Sequence, residues 1–200
     1  MSSLDWRFEL KLIDQCPHLF EAYSHRWVKC YPDRSVTSFY FDTPDFHLLR
    51  VGMDGFDNRF ICRYRVYDSV DPSTLGQLEI KYSTEAGDRK KVVETSFERA
   101  GALILDQVGL ATSPKVCISY RRTYLLEENM DIRVTIDRDL RYSDLNNQML
   151  SRSTAVPHTI FEIKGPAVLK PIGMSLCGFN SEVRYSKYAA AALALGLITE

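Results

Sequence analysis

The stretch "NRFICRYRVY", residues 58–67, places arginine at Arg59, Arg63 and Arg65, and Ile61 shares their parity. The alternate positions, Phe60, Cys62, Tyr64 and Val66, carry no charge. A period of two marks a β-strand, whose successive side chains leave opposite faces of the sheet. One face of this strand is therefore apolar and the other cationic. A lone strand of this kind ordinarily turns its charges to water. What the arginines are for is decided by the other strands.

Strand patterns fall near residues 5–13, 35–42, 58–67, 76–83, 89–97, 115–126, 131–138 and 158–164. Helical patterns are few. "PHLFEAYSHRWVK" (17–29) spaces Leu19, Phe20, Tyr23 and Trp27 on one face. "FERAGALILDQVG" (97–109) does the same with Leu103, Ile104 and Val108 and stops at Gly109, while "SKYAAAALALGL" (186–197) is helical by composition. Many antiparallel strands with few helices predict an α+β domain built on a β-barrel or a strongly curved sheet.

The charges repeat along these strands. "FELK" (8–11), "LEIK" (78–81) and "FEIK" (161–164) each set a glutamate and a lysine on one face: Glu9 with Lys11, Glu79 with Lys81, Glu162 with Lys164. "DIRVTIDRDL" (131–140) points Arg133, Thr135 and Asp137 one way and Val134 and Ile136 the other. Arg121 and Arg122 add cations without a clear alternation, and "DRKK" (88–91) splits Lys91 from Lys90. External helices need an apolar face to pack against, so in a barrel the charged faces would line the inside. Small barrels usually fill that space with apolar side chains. Crowded cations call instead for a polyanion, and a chain of phosphates offers several oxygens to each Arg or Lys. Sparse interior carboxylates would hold a divalent metal bridging to phosphate. The pattern predicts a metal–polyphosphate tunnel.

Composition narrows the alternatives. Two hundred residues suit one domain, 1–200, with a sizeable core. A formal net charge of -1 excludes a generally basic nucleic-acid binder, yet 25 Lys and Arg leave room for a local basic site. Cys16, Cys30, Cys62, Cys117 and Cys177 form no CxxC pair, which points to reduced thiols and a cytoplasmic protein. His18, His25, His47 and His158 show no ligand spacing. "MSSLDWRFELK" lacks an apolar signal core, and the run "YAAAALALGLI" (188–198) is too short to span a bilayer, so no transmembrane segment is expected.

In order along the chain stand "SFYFDTPDF" (38–46), "DGFDNRFICRYR" (54–65), "LEIK", "YRRTY" (120–124), "RVTID" (133–137), "FEIKGP" (161–166) and "YSKY" (185–188). This series resembles VTC domains, the polyphosphate polymerases of the triphosphate tunnel metalloenzyme (CYTH-like) superfamily, over about residues 6–192. The resemblance implies an antiparallel closed β-barrel with a few external helices, whose lumen binds phosphate chains with Mn2+ or Mg2+. It also implies transfer of the γ-phosphoryl of ATP onto polyphosphate or pyrophosphate. Carried over by position, Arg63, Arg65, Lys81, Arg122, Arg133 and Lys187 would act in catalysis. Lys11, Arg59, Lys90, Lys91, Arg121, Lys164, Ser186 and Tyr188 would bind phosphate, with the choice within the pairs Lys90/Lys91 and Arg121/Arg122 open. Glu162, Glu9 and Glu79 would be metal ligands. Arg7 stands where the superfamily's ExExK motif begins with glutamate, which makes a two-metal hydrolytic site less expected. The rival readings are a triphosphatase of the same fold and a non-catalytic module binding polyphosphate or inositol pyrophosphate.

Overall fold

The structure is a computed structural model and describes residues 7–13, 27–56, 58–84, 87–127, 129, 131–146, 153–171 and 185–199. Its strands are β1 (Arg7–Ile13), β2 (Val28–Asp42), β3 (Arg59–Tyr67), β4 (Gly76–Thr84), β5 (Gly87–Thr95), β6 (Ser113–Glu127), β7 (Ile132–Asp144), β8 (Ser153–Val156) and β9 (Ile160–Pro166). Its helices are α1 (His47–Met53), α2 (Phe97–Val108) and α3 (Lys187–Ala194). Strand neighbours follow the order β1-β9-β7-β6-β2-β3-β4-β5, with β8 on β7. The pairings whose register is defined are antiparallel. A mostly antiparallel sheet with a few helices is thus observed. Among the described residues no hydrogen bonding joins β1 to β5, so closure into a barrel is not shown.

The strands expected from alternation are all present. The expected helix over 17–29 lies outside the described residues except at its end, where Val28 and Lys29 already belong to β2. No helix of the described residues is long and apolar enough to cross a membrane.

The chain divides into two compact units, threaded by β2, β6 and β7. One unit comprises residues 35–120, 141–156 and 186–200. Its core joins Cys62, Tyr64 and Val66 of β3 to Leu78 and Ile80 of β4, Phe39 and Phe41 of β2, and Ala100 and Ile104 of α2. The uncharged parity of "NRFICRYRVY" is therefore the helix-covered face. Ile104 alone, fully buried, contributes roughly 1.5–3 kcal/mol. Phe97 opens α2 with its ring edge-on to Phe39 and Tyr64, at 5.0 and 5.4 Å. Gly76 lets β4 pass close to β3, because a Cβ there would lie 2.6 Å from the Arg65 carbonyl and 2.7 Å from the Tyr64 ring.

The other unit comprises residues 1–34, 121–140 and 157–185. Leu10, Ile132, Val134, Ile136, Phe161 and Ile163 form its core, with Trp27, Leu125 and Leu169 packed on them. The alternation of β1, β7 and β9 puts Glu9, Lys11, Arg133, Glu162 and Lys164 on the opposite face. Register then brings the Glu-x-Lys copies together: Lys11 faces Glu162, and Glu9 faces Lys164.

Candidate functional site

In the first-described unit, β3 and β4 pair so that Arg63 stands opposite Glu79. The Arg63 guanidinium donates to Glu79 Oε2 from Nε at 2.6 Å, with Nη2 at 2.5 Å. On the other carboxylate oxygen lie Lys90 Nζ at 2.9 Å and Arg65 Nη1 at 3.5 Å. Glu79 is 3% exposed. Burial alone would raise its pKa, but the charges of Arg63, Arg65 and Lys90 outweigh this and hold it at about 2.

Tyrosine hydroxyls take the remaining arginine donors. Arg63 Nη1 donates to Tyr40 Oη and Arg65 Nη2 to Tyr120 Oη, both at 3.3 Å, while Arg65 Nε donates to Ser38 Oγ at 3.0 Å. Lys187 Nζ stands 5.3 Å from the centre of the Tyr120 ring, within cation–π range. Burial would raise the pKa of the Tyr40 hydroxyl, yet Arg63, Arg65 and Lys187 hold it below the usual tyrosine value. Three cations thus lie on one carboxylate, and Lys187 stands beside the Tyr120 ring whose hydroxyl accepts from Arg65. The Arg63 side chain is 26% exposed and that of Lys90 48%, so the cluster is open to an anion. Planar arginine forks and a lysine point charge suit phosphate oxygens.

Asp42 underlies this cluster. Its Oδ1 accepts from the backbone N–H of Thr43 at 2.8 Å and Leu48 at 2.9 Å. Its Oδ2 accepts from Leu49 N–H at 2.9 Å and from the Tyr188 hydroxyl at 3.0 Å. Asp42 therefore satisfies amides of the first turn of α1, whose N-cap residue is Phe46. The Tyr188 ring stacks on Tyr40, centroids 4.9 Å apart. Burial, then the Asp42 charge, pushes the Tyr188 hydroxyl well above the usual tyrosine range. Ser186 is the N-cap of α3, its Oγ accepting from Ala189 N–H at 3.3 Å.

In the other unit, two carboxylates meet on one ammonium. Lys164 Nζ lies 2.7 Å from Glu162 and 3.0 Å from Glu9, and Lys11 Nζ lies 2.7 Å from Glu9. Burial and the Glu162 charge raise the Glu9 pKa, but Lys11 and Lys164 bring it below the usual value. Arg133 pairs in register with Lys164, and Thr135 with Glu162. The Thr135 hydroxyl is buried without a hydrogen-bond partner among the described residues. Arg122 holds Asp137 through Nε at 2.6 Å and Nη2 at 2.8 Å.

Other predicted residues make separate contacts. Lys81 bonds Asp88 at 2.7 Å, and Arg59 donates to the Phe56 carbonyl at 3.2 Å. Lys91 reaches Gln107 of α2, so Lys90 and not Lys91 shares the side of Glu79. Arg121 is 65% exposed and 4.0 Å from Asp33, whereas Arg122 is the less exposed of the two and holds the buried Asp137. The hydroxyl partners Ser38, Tyr40 and Tyr120 were not among the residues expected from sequence. For Ser38 and Tyr40 the signal was the alternation of "SFYFD", where Phe39 and Phe41 enter the core and Ser38, Tyr40 and Asp42 take the other parity.

Among the described residues no three His, Cys, Asp or Glu side chains gather as a metal site. Mg2+ at phosphate sites commonly uses only one or two carboxylates and completes its shell with substrate and water oxygens. Glu9 and Glu162 fit that donor set. Glu79, already carrying three cations, does not.

Comparison with known proteins places this geometry. Among solved structures, the chain resembles the PH1819 protein of Pyrococcus horikoshii OT3 at 14% identity and TM-score 0.55, covering 96% of this chain and 100% of that one. It also resembles a provisionally named adenylate cyclase of Bacillus halodurans, at 13% identity and TM-score 0.54, covering 90% and 95%. A conserved hypothetical protein of Pyrococcus furiosus matches at 14% identity and TM-score 0.53, covering 93% and 99%. At these identities the likeness is one of fold. No curated protein matches the chain. The VTC domain profile matches residues 9–109 and 94–195, and the chain belongs to the VTC domain family.

Proposed function

We propose that the protein is a metal-dependent phosphotransferase that moves the γ-phosphoryl of ATP onto the end of a polyphosphate chain. The observation that carries this reading is the gathering of Arg63, Arg65 and Lys90 on one buried carboxylate, with Lys187 beside the Tyr120 ring whose hydroxyl accepts from Arg65. VTC family membership supports it. So do the solved structures of the same fold, one of them provisionally named for a nucleotide-using activity.

In the reaction, a terminal oxygen of phosphate, pyrophosphate or polyphosphate attacks the γ-phosphorus. The bond to the β,γ-bridging oxygen breaks and ADP leaves with that electron pair. Phosphoryl transfer of this loose kind asks the protein mainly for positioning and charge stabilisation, with no covalent intermediate. Arg63, Arg65 and Lys90 hold phosphate oxygens, and Lys187 meets charge developing on the transferring group. Within the same unit Lys81 and Arg59 are outlying contacts, and in the other unit Lys11, Lys164 and Arg133 are candidate phosphate contacts of the β1–β9–β7 face. Arg122, committed to Asp137, contributes by holding its sheet. Glu9 and Glu162 would hold the Mn2+ or Mg2+, which supplies charge neutralisation to phosphate oxygens when bound.

Incubation with ATP and Mn2+, resolved on a gel for polyphosphate with ADP measured in parallel, tests the proposal. Long polyphosphate appearing with ADP is the expected result. Release of inorganic phosphate alone would replace it with a triphosphatase. Salt-dependent binding without turnover would replace it with a receptor.

A further inference from the structure

Lys187 opens α3, a helix of eight residues near the end of the chain, and lies on no strand of the sheet. Its ammonium nevertheless reaches the Tyr120 ring and acts electrostatically on the Tyr40 hydroxyl. A long, flexible lysine side chain at a helix start has several rotamers to lose before it can stand in one place. Something must fix the first turn of α3. The adjacent residue, Tyr188, is 4% exposed, stacks at 16° on Tyr40 and donates its hydroxyl to Asp42. Asp42 is fully buried and also binds the N–H groups of Leu48 and Leu49, so it is itself anchored by α1.

We infer that Asp42 and Tyr188 are positioning residues that hold Lys187 in the cation cluster, an assignment that rests on the phosphate-handling reading of that cluster. The carboxylate ties α3 to the first turn of α1 through one hydroxyl. The stacked ring sets the side from which Lys187 approaches Tyr120. Ser186 completes the device by capping α3, which defines where its first turn begins. Neither Asp42 nor Tyr188 needs to touch phosphate. Their effect passes through the lysine between Ser186 and Tyr188.

Tyr188→Phe keeps the ring and its stack and removes one O–H, and two measurements on the full chain read the result. The first needs no ligand: the rate at which an amine-acylating reagent modifies Lys187, followed by mass spectrometry, with Lys90 as internal control. The expected result is a change of about threefold or more at Lys187 with Lys90 unchanged, in proportion to the loss of a hydrogen bond. An unchanged Lys187 rate overturns the positioning role. The second is the affinity for inorganic tripolyphosphate in a double-mutant cycle with Lys187→Ala. Tyr188→Phe weakens binding about three- to tenfold alone and adds nothing once Lys187 is gone. Equal losses in both backgrounds would assign Tyr188 a purely structural role and overturn the inference. If Tyr188→Phe does not fold, Asp42→Asn, which preserves shape but loses an acceptor, is held to the same two criteria. Absence of tripolyphosphate binding by the unaltered chain would overturn the phosphate reading, and the labelling result would still decide the positioning one.

Discussion

Arg63 and Glu79 stand directly opposite each other on β3 and β4, joined by contacts of 2.6 and 2.5 Å between the guanidinium and one carboxylate oxygen. Glu79 titrates in the folded protein at about 2, below its ordinary value, because the neighbouring cations outweigh the cost of burial. A depressed carboxylate contributes stability that is complete above its unfolded pKa and is lost as pH falls through the folded one. The window is therefore about pH 4.5 down to about 2, with a contribution on the order of 3 kcal/mol. Glu79→Gln is expected to flatten the acid limb of stability over that window and to lower stability at neutral pH, where three cations would face one another. Denaturant midpoints measured against pH for both proteins check this; identical acid limbs would contradict it.

The same substitution separates two roles for Glu79. A metal ligand lost to glutamine would abolish metal-dependent turnover. An organiser of cations would, when neutralised, leave Arg63, Arg65 and Lys90 free for phosphate. The expected outcome for Glu79→Gln is a less stable protein whose affinity for tripolyphosphate is unchanged or higher, measured by calorimetry below its unfolding temperature.

Lys90 and Lys91 are neighbours in sequence and lie on opposite sides of β5. Lys90 faces Lys81 across the pair with β4, and the like charges part company, Lys81 to Asp88 and Lys90 to Glu79. Lys91 faces Ile80 and binds Gln107 on the helix side. Lys90→Ala should weaken tripolyphosphate binding by about tenfold and reduce its dependence on salt, while Lys91→Ala should leave both within twofold. Titrations at two ionic strengths distinguish the pair.

Much of this was legible in the sequence, for a physical reason. Alternation is a local property, so the apolar and charged faces of β3, β4, β7 and β9 could be read strand by strand. What alternation cannot supply is register. That Glu9 faces Lys164 and Lys11 faces Glu162 depends on how β1 and β9 slide past each other, and no single strand records it. The same limit hid the tyrosine hydroxyls, since Arg65 meets Tyr120 across 55 residues of chain. Short elements escaped for want of period: β8 spans four mostly exposed residues, and α1 only seven. The first half of β2 contains Pro32 and follows no apolar alternation, so it gave no strand signal at all.

Arg122 and Asp137 make a bidentate pair in which the aspartate is fully buried. Removing one partner of such a pair strands a charge away from water. Asp137→Ala is expected to cost about 3–5 kcal/mol of stability. Arg122→Met, which strands the buried aspartate without its cation, should destabilise as well. Thermal unfolding across pH would record both, and a neutral Asp137→Ala would show that the pair does not hold its sheet.

Glu162 lies 13% exposed beside Lys164, sharing that ammonium with Glu9. The site around it has two carboxylates, two lysines and, opposite Glu162 in register, a threonine hydroxyl without a partner among the described residues. Lys164 is held protonated, since the charges of Glu162 and Glu9 overcome the effect of its burial and raise its pKa. Glu162→Gln keeps the shape and one acceptor oxygen while halving the negative charge available to a divalent cation. Binding of Mn2+ should therefore weaken by at least about tenfold, and metal-dependent turnover of ATP should fall to background with the unfolding temperature little changed. Mn2+ titration followed by water proton relaxation reads the first effect without any activity. Full Mn2+ affinity in Glu162→Gln would remove Glu162 from the metal site and leave the cation cluster of Arg63, Arg65, Lys90 and Lys187 to act on phosphate without it.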